Sequence, residues 1–223
     1  MIWPNLCVDN FFQEPDKVVE FANSLKFANL DGHNYPGKRT QFMHSINYEF
    51  FEFSTLKILS LLYPNEYKNL KWSAHQNFQK VPANLKFDSW VHTDEQYEFT
   101  CIIYLSKFLN CGTSIYHPKN SYGYIKNTKE KDEFFKHRDP KKILQTERAY
   151  KENNSSFEET IRFNSKYNRL VLFDGANYHS SNEFKHEDNK EERLTLITFF
   201  KKVEYANEEE NLKKPVTTMR RIN

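Results

Sequence analysis

Glycine is nearly missing from this chain of 223 residues: there are 5, about 2% against a usual ~7%. That excludes collagen-like, glycine-rich and flexible-linker architectures. Cysteine is also sparse. Cys7, Cys101 and Cys111 are odd in number and lack zinc-site spacing, so neither a disulfide framework nor a zinc cluster is expected. A reducing, intracellular (cytoplasmic) setting follows as the expectation. No apolar run approaches the ~18 residues of a membrane span. The opening MIWPNLCVDN has no basic stretch leading into an apolar one, so no secretory signal and no membrane association are expected. Charge of one sign is lacking too. Lys and Arg number 32 against 30 Asp and Glu, a net charge of +2. No global field would draw the chain to nucleic acid or to an anionic surface.

Aromatic residues are plentiful. The hydrophobic fraction is only 38%, but 20 Phe, 13 Tyr and 3 Trp bring the aromatics to 16%. Large rings bury much area each, so a substantial core is expected. The length fits one domain. In the first third, EPDKVVEFANSL places Pro15 at a helix start, with Val18, Val19, Ala22 and Leu25 on one face. The turn-rich LDGHNYPGKRT follows. STLKILSLLY then predicts a second helix burying Leu56, Leu59 and Leu62. From Trp72 the texture becomes that of strands: WSAHQNFQKV, FTCIIYLS, TSIYHP, SFEETIRF, RLVLFDG and RLTLITFF. Strands joined by short turns predict antiparallel pairing in a sandwich or barrel.

The spacing His-X-Asp occurs three times, at His92/Asp94, His137/Asp139 and His186/Asp188. On a strand, residues i and i+2 share a face and can approach one ion from one side. His137/Asp139 lies in a polar stretch without kinase signatures, and His186/Asp188 lies in a charged run. His92/Asp94 leads directly into the apolar FTCIIYLS. His179, ending RLVLFDGANYH, is the candidate third ligand, although 87 residues separate it from His92. Two imidazoles and a carboxylate leave one face of an octahedral ion open, which suits non-haem Fe(II). Arg193 opens RLTLITFF, and a guanidinium there is costly unless paired, as with a carboxylate. Tyr104 is a candidate partner for the same carboxylate. In YPGKRT, Lys38 and Arg39 follow a Pro-Gly turn, and Arg39 is a candidate contact for an anionic substrate group.

In that order, His92-Thr93-Asp94, TCIIYLS, CGTSIYHP, RLVLFDGANYH and RLTLITFF resemble the double-stranded β-helix core of the Fe(II)/2-oxoglutarate-dependent oxygenases. Within them, the chain is most similar to the prolyl-4-hydroxylase-like branch. The match covers Trp72–Pro118 and Glu158–Lys202. VDNFFQEPDKVVEFANSLKF resembles small bacterial and phage members. The resemblance implies a mainly β fold with flanking helices, a jelly-roll, cupin-like core. It implies a single oxygenase domain over 1–223. Residues 1–71 give helical support, 72–118 and 155–202 the core, 119–154 an insertion and possible lid, and 203–223 a tail. It implies His92, Asp94 and His179 as iron ligands. Arg193 would hold the distal carboxylate of 2-oxoglutarate, with Tyr104 and Thr195 assisting. Gly112 matches the family's glycine before a returning strand. Dioxygen would be consumed, a substrate C–H bond hydroxylated, and succinate and carbon dioxide released.

A carboxylate at Asp94 favours hydroxylation over halogenation. Phe199 stands where nucleic-acid demethylases of the superfamily carry a second arginine, which favours a small-molecule or peptidyl substrate. The stretch from His179 to Arg193 is longer than the family's usual ~10 residues, and the insertion is unusual in size. Two alternatives remain open: a cupin-like zinc or manganese enzyme without 2-oxoglutarate, and a non-catalytic binding protein on the same fold.

Overall fold

The computed structural model describes residues 3–28, 35–82, 89–107, 111–119, 151–182, 192–206 and 215. The order of elements is β1 (Leu6–Val8), α1 (Pro15–Ser24), β2 (Lys38–Arg39), α2 (Met43–Ile46), α3 (Tyr48–Leu62), a 3-10 turn (Tyr67–Asn69), β3 (Leu70–Val81), β4 (Phe99–Tyr104), β5 (Thr113–Pro118), β6 (Phe157–Phe163), β7 (Arg169–Asp174), β8 (Tyr178–Ser181) and β9 (Arg193–Tyr205).

The strands form two antiparallel sheets. One has the order β1-β7-β4-β9-β3-β2 and the other β6-β5-β8. β4 shows why. All six of its residues are buried, so both of its faces must be covered. Phe99, Cys101 and Ile103 point to one side, where they join Phe78, Leu170, Leu172, Leu194, Leu196 and Phe200 under the helices. Ile102 and Tyr104 point to the other, with Val171, Phe173 and Ile197, and meet Ile115 of the smaller sheet. The result is the mainly β jelly roll with flanking helices that the sequence predicts.

Ala22 of α1 is buried, and Val18, Val19 and Leu25 pack on the outer core. Ile58, Leu59 and Leu62 of α3 are buried, while Leu56 is half-buried. α3 starts six residues before the expected Ser54. The β-prone run YEFFEF turns helical because the Asn47 side chain accepts the Phe50 N–H at 2.9 Å, which caps the helix. Phe50 and Phe51 then reach the outer core, so tertiary packing overrides local preference.

The first 71 residues are less purely helical than expected, since they also supply β1 and β2. β1 is pinned to β7 by Asp9, which takes Arg169 Nε at 2.6 Å and Lys166 Nζ at 2.8 Å. β9 runs into the expected tail: Val203 is buried and pairs with Trp72. Residues 120–150 of the expected insertion, and with them His137 and Asp139, lie outside the described residues, as do His186 and Asp188. Among the described residues, no helix is long and apolar enough to cross a membrane.

Candidate metal centre

His92 belongs to no regular strand. It forms an isolated antiparallel bridge with His179 of β8, with His92 N–H donating to His179 O at 3.0 Å and His179 N–H to His92 O at 2.8 Å. Two residues on, the Asp94 N–H donates to Gly175 O at 2.7 Å. The segment His92–Asp94 is thereby zipped onto the turn between β7 and β8. Gly175 makes this possible. A Cβ there would lie 2.0 Å from the carbonyl oxygen of Tyr97 and 2.8 Å from that of Asp94, so no side chain fits.

This pairing closes the gap along the chain. His92, Asp94 and His179 offer ligand atoms that all lie within 4.8 Å of one another. Nε2 of His179 is 3.3 Å from Asp94 Oδ2, and Nε2 of His92 is 3.8 Å from Asp94 Oδ1. Each imidazole is oriented from behind. His92 Nδ1 lies 2.8 Å from Trp90 O, and His179 Nδ1 lies 2.9 Å from Asn177 O. A carbonyl only accepts, so each Nδ1 is the donor and each Nε2 is turned toward Asp94. Such outer hydrogen bonds are what fix the tautomer of a metal-binding histidine. Thr100 Oγ1 donates to Asp94 Oδ2 at 3.0 Å and holds the carboxylate.

The stretch before His92 is anchored as well. Asn154 Oδ1 accepts the Val91 N–H at 2.9 Å, Asn154 Nδ2 donates to Ser89 O at 3.0 Å, and Asn153 Nδ2 donates to Val91 O at 3.1 Å.

All three residues line a cavity of about 540 Å³, within the usual range for ligand pockets. Arg193 lines it too and is only 6% exposed. Its guanidinium carbon sits 5.4 Å from the centre of the Tyr104 ring. Burial pulls the Arg193 pKa down, and Tyr104 pushes it back up. Tyr104 is held by a 2.7 Å bond between its hydroxyl and Thr113 Oγ1. Burial raises its pKa, which keeps it a neutral phenol. Thr195 stands in register with both Tyr104 and Gln79, on the face that Arg193 shares. It is fully buried, and its hydroxyl has no hydrogen-bond partner among the described residues. A buried hydroxyl beside a buried guanidinium fits a ligand carboxylate.

Arg39 reaches the same cavity from the edge strand β2, so every residue singled out for the site lines this one space except Thr195 and Tyr104, which neighbour its lining residue Arg193. Several residues were not anticipated. Thr100 shares the face of Ile102 and Tyr104 at alternate positions, so a hydroxyl on an inward face was the available signal. Asn153, Asn154 and Gly175 carry no such pattern, because their partners are backbone groups distant in the chain.

None of the curated proteins matches this chain in sequence. Solved structures match in fold. HygX from Streptomyces hygroscopicus, with nickel and 2-oxoglutarate bound, superposes with a TM-score of 0.51 at 10% identity, covering 89% of this chain and 82% of that one. The non-heme alpha ketoglutarate dependent epimerase SnoN from nogalamycin biosynthesis gives 0.52 at 11% identity, covering 98% and 92%. A prolyl hydroxylase from Trichoplax adhaerens, in complex with a hypoxia inducible factor oxygen degradation domain peptide fragment, gives 0.51 at 12% identity, covering 88% and 82%. At such identities the likeness shows the shared jelly-roll fold. A family model matches residues 3–200, and by that match the chain belongs to the family of unknown function DUF6445.

Proposed function

We propose that this protein is an Fe(II)- and 2-oxoglutarate-dependent dioxygenase of the prolyl-4-hydroxylase-like branch, which hydroxylates a C–H bond and releases succinate and carbon dioxide. The observation that carries this reading is the meeting of two imidazoles and one carboxylate in a cavity that a buried arginine also lines. That donor set covers one face of an octahedral ion and leaves room for a chelating cosubstrate and dioxygen. Bound there, Fe(II) would activate dioxygen and 2-oxoglutarate would supply two electrons.

The chain's own residues do the positioning. His92, Asp94 and His179 hold the ion. The Trp90 and Asn177 carbonyls keep the imidazoles aimed, and Thr100 keeps the carboxylate in place. Arg193 pairs with the distal carboxylate of 2-oxoglutarate, the Thr195 hydroxyl donates to it, and Tyr104 supports the guanidinium. Burial of Arg193 keeps water from competing for that pair. Asp94 supports hydroxylation over halogenation. Phe199, which lines the cavity, supports a small-molecule or peptidyl substrate over nucleic acid. An odd number of cysteines, with no disulfide among the described residues, fits a reducing, cytoplasmic setting.

Anaerobic addition of Fe(II) and 2-oxoglutarate tests the reading through the visible charge-transfer band of the chelate. Arg193→Ala should weaken 2-oxoglutarate by about 30-fold or more, since truncating one partner of a buried charge pair costs ~2–5 kcal/mol. An unchanged band and affinity would remove Arg193 from the cosubstrate site. Asp94→Ala should abolish iron-dependent succinate release, and retained turnover would remove Asp94 from the ligand set.

A further inference from the structure

Arg39 is a cation without a carboxylate partner among the described residues. It makes no ion pair among the described residues. Its side-chain hydrogen bonds run from Nε (3.3 Å) and Nη2 (3.2 Å) to one neutral atom, Gln79 Oε1. Gln79 is fixed for that purpose: its Nε2 donates to Pro36 O at 2.6 Å, which turns Oε1 toward the guanidinium. One face of the guanidinium is covered, with Cζ 3.8 Å from the centre of the Tyr35 ring. Nη1 makes no hydrogen bond to a described residue. The backbone under Arg39 is held equally firmly. Gly37 sits at φ +76, where a Cβ would lie 2.0 Å from Lys80 O, and β2 pairs Arg39 with Gln79.

Charge counting shows what is left over. On the function proposed above, the metal dication and Arg193 are balanced by Asp94 and the dianionic 2-oxoglutarate. Arg39 is then one surplus positive charge in the cavity wall. Asp94 acts on it through space, and burial pulls its pKa down, but the metal claims that carboxylate. Glu95, the other acid at the cavity, is solvent-exposed and screened. Arg39 is also separate from the cosubstrate's arginine. Arg39, Gln79 and Thr195 lie in one cross-strand row, and Arg193 is two residues along β9. Strand spacing and rise then put the two arginine Cα atoms on the order of 12 Å apart. Tyr35, Tyr97 and Phe199 supply aromatic surface beside Arg39.

We propose that Arg39, oriented by Gln79 and Tyr35, binds the carboxylate of a monoanionic substrate whose flat or apolar body lies against Tyr97 and Phe199. The inference rests on the function proposed above, which supplies the charge balance. One free edge of one guanidinium matches two coplanar oxygens. A phosphate dianion would call for more donors than this wall provides.

The test uses the full chain loaded with Co(II), titrated with benzoate, benzamide and inorganic phosphate, with and without saturating 2-oxoglutarate. The readouts are the Co(II) visible spectrum and the thermal shift. Benzoate should bind and benzamide should not. Arg39→Gln should weaken benzoate at least about tenfold, as expected for loss of a charge-assisted bond. Arg39→Lys, which keeps the charge, should recover part of it. Unfolding curves of both variants confirm that the fold is intact. Benzoate binding that survives Arg39→Gln, equal binding of benzamide, preferential binding of phosphate, or no carboxylate binding at all would each overturn the proposal. So would a loss of 2-oxoglutarate binding in Arg39→Gln matching that in Arg193→Gln, since Arg39 would then belong to the cosubstrate. Failure of 2-oxoglutarate to perturb the Co(II) spectrum of the unaltered protein would instead overturn the dioxygenase reading.

Discussion

Thr100→Val offers a demanding check on the geometry of the metal centre. Valine nearly preserves the shape of threonine, and Thr100 is only 2% exposed, so packing changes little. What is lost is the 3.0 Å bond from Oγ1 to Asp94 Oδ2. A hydrogen bond to a charged group contributes ~1.5–3 kcal/mol, about 10- to 150-fold in an equilibrium constant. Part of this reappears when the bound ion orients the carboxylate by itself. The expected outcome is therefore metal binding weaker by about 10- to 100-fold, the usual effect of removing an outer-shell partner. Competition of Fe(II) or Co(II) against a chelating dye measures it directly, with the unfolding temperature of the metal-free protein as the control for packing. A dissociation constant within threefold of the unaltered protein, in a background where Asp94→Ala abolishes binding, would refute the claim that Thr100 positions the ligand.

Gly175→Ala should both destabilise the protein and loosen the site, because its Cβ would meet the Tyr97 carbonyl at 2.0 Å. Overpacking of this kind costs ~1–3 kcal/mol, and at ~2–4 °C per kcal/mol for a chain of this size, calorimetry should show the melting temperature falling by several degrees. An unchanged melt would mean that the turn relaxes freely. Asp9 supplies a pH prediction. The hydrogen bond from Arg169, then that from Lys166, holds its carboxyl well below the usual range. A depressed acid stabilises above its unfolded pKa of ~3.9 and loses that contribution as pH falls through the folded value. Asp9→Asn should therefore melt earlier than the unaltered protein at pH 7, with the difference shrinking below about pH 4. The side chain is partly exposed, so the effect is small. A difference that is constant with pH would show that the ion pairs of Asp9 do not secure β1.

The sequence alone determined an antiparallel sandwich or barrel and several of the candidate site residues, because these are written in local patterns, whereas the jelly roll itself was implied by the family resemblance. Apolar runs such as FTCIIYLS and RLVLFDG must be covered on both faces, and that requirement predicts a sandwich without any knowledge of pairing. His92 and Asp94 declare themselves by a two-residue spacing, and Arg193 by placing a charge at the start of an apolar strand. Only the tertiary structure decided the rest. It brought His179 across 87 residues onto His92 through two backbone hydrogen bonds. It made the β-prone YEFFEF a helix, extended β9 to Tyr205 and placed Arg39 on an edge strand. It also turned Thr100 onto the Asp94 carboxylate and recruited Asn153, Asn154 and Gly175, whose roles depend on backbone groups remote in the chain. Side-chain chemistry and period are properties of neighbouring residues, whereas a contact between distant segments exists only after the sheets have paired in one register.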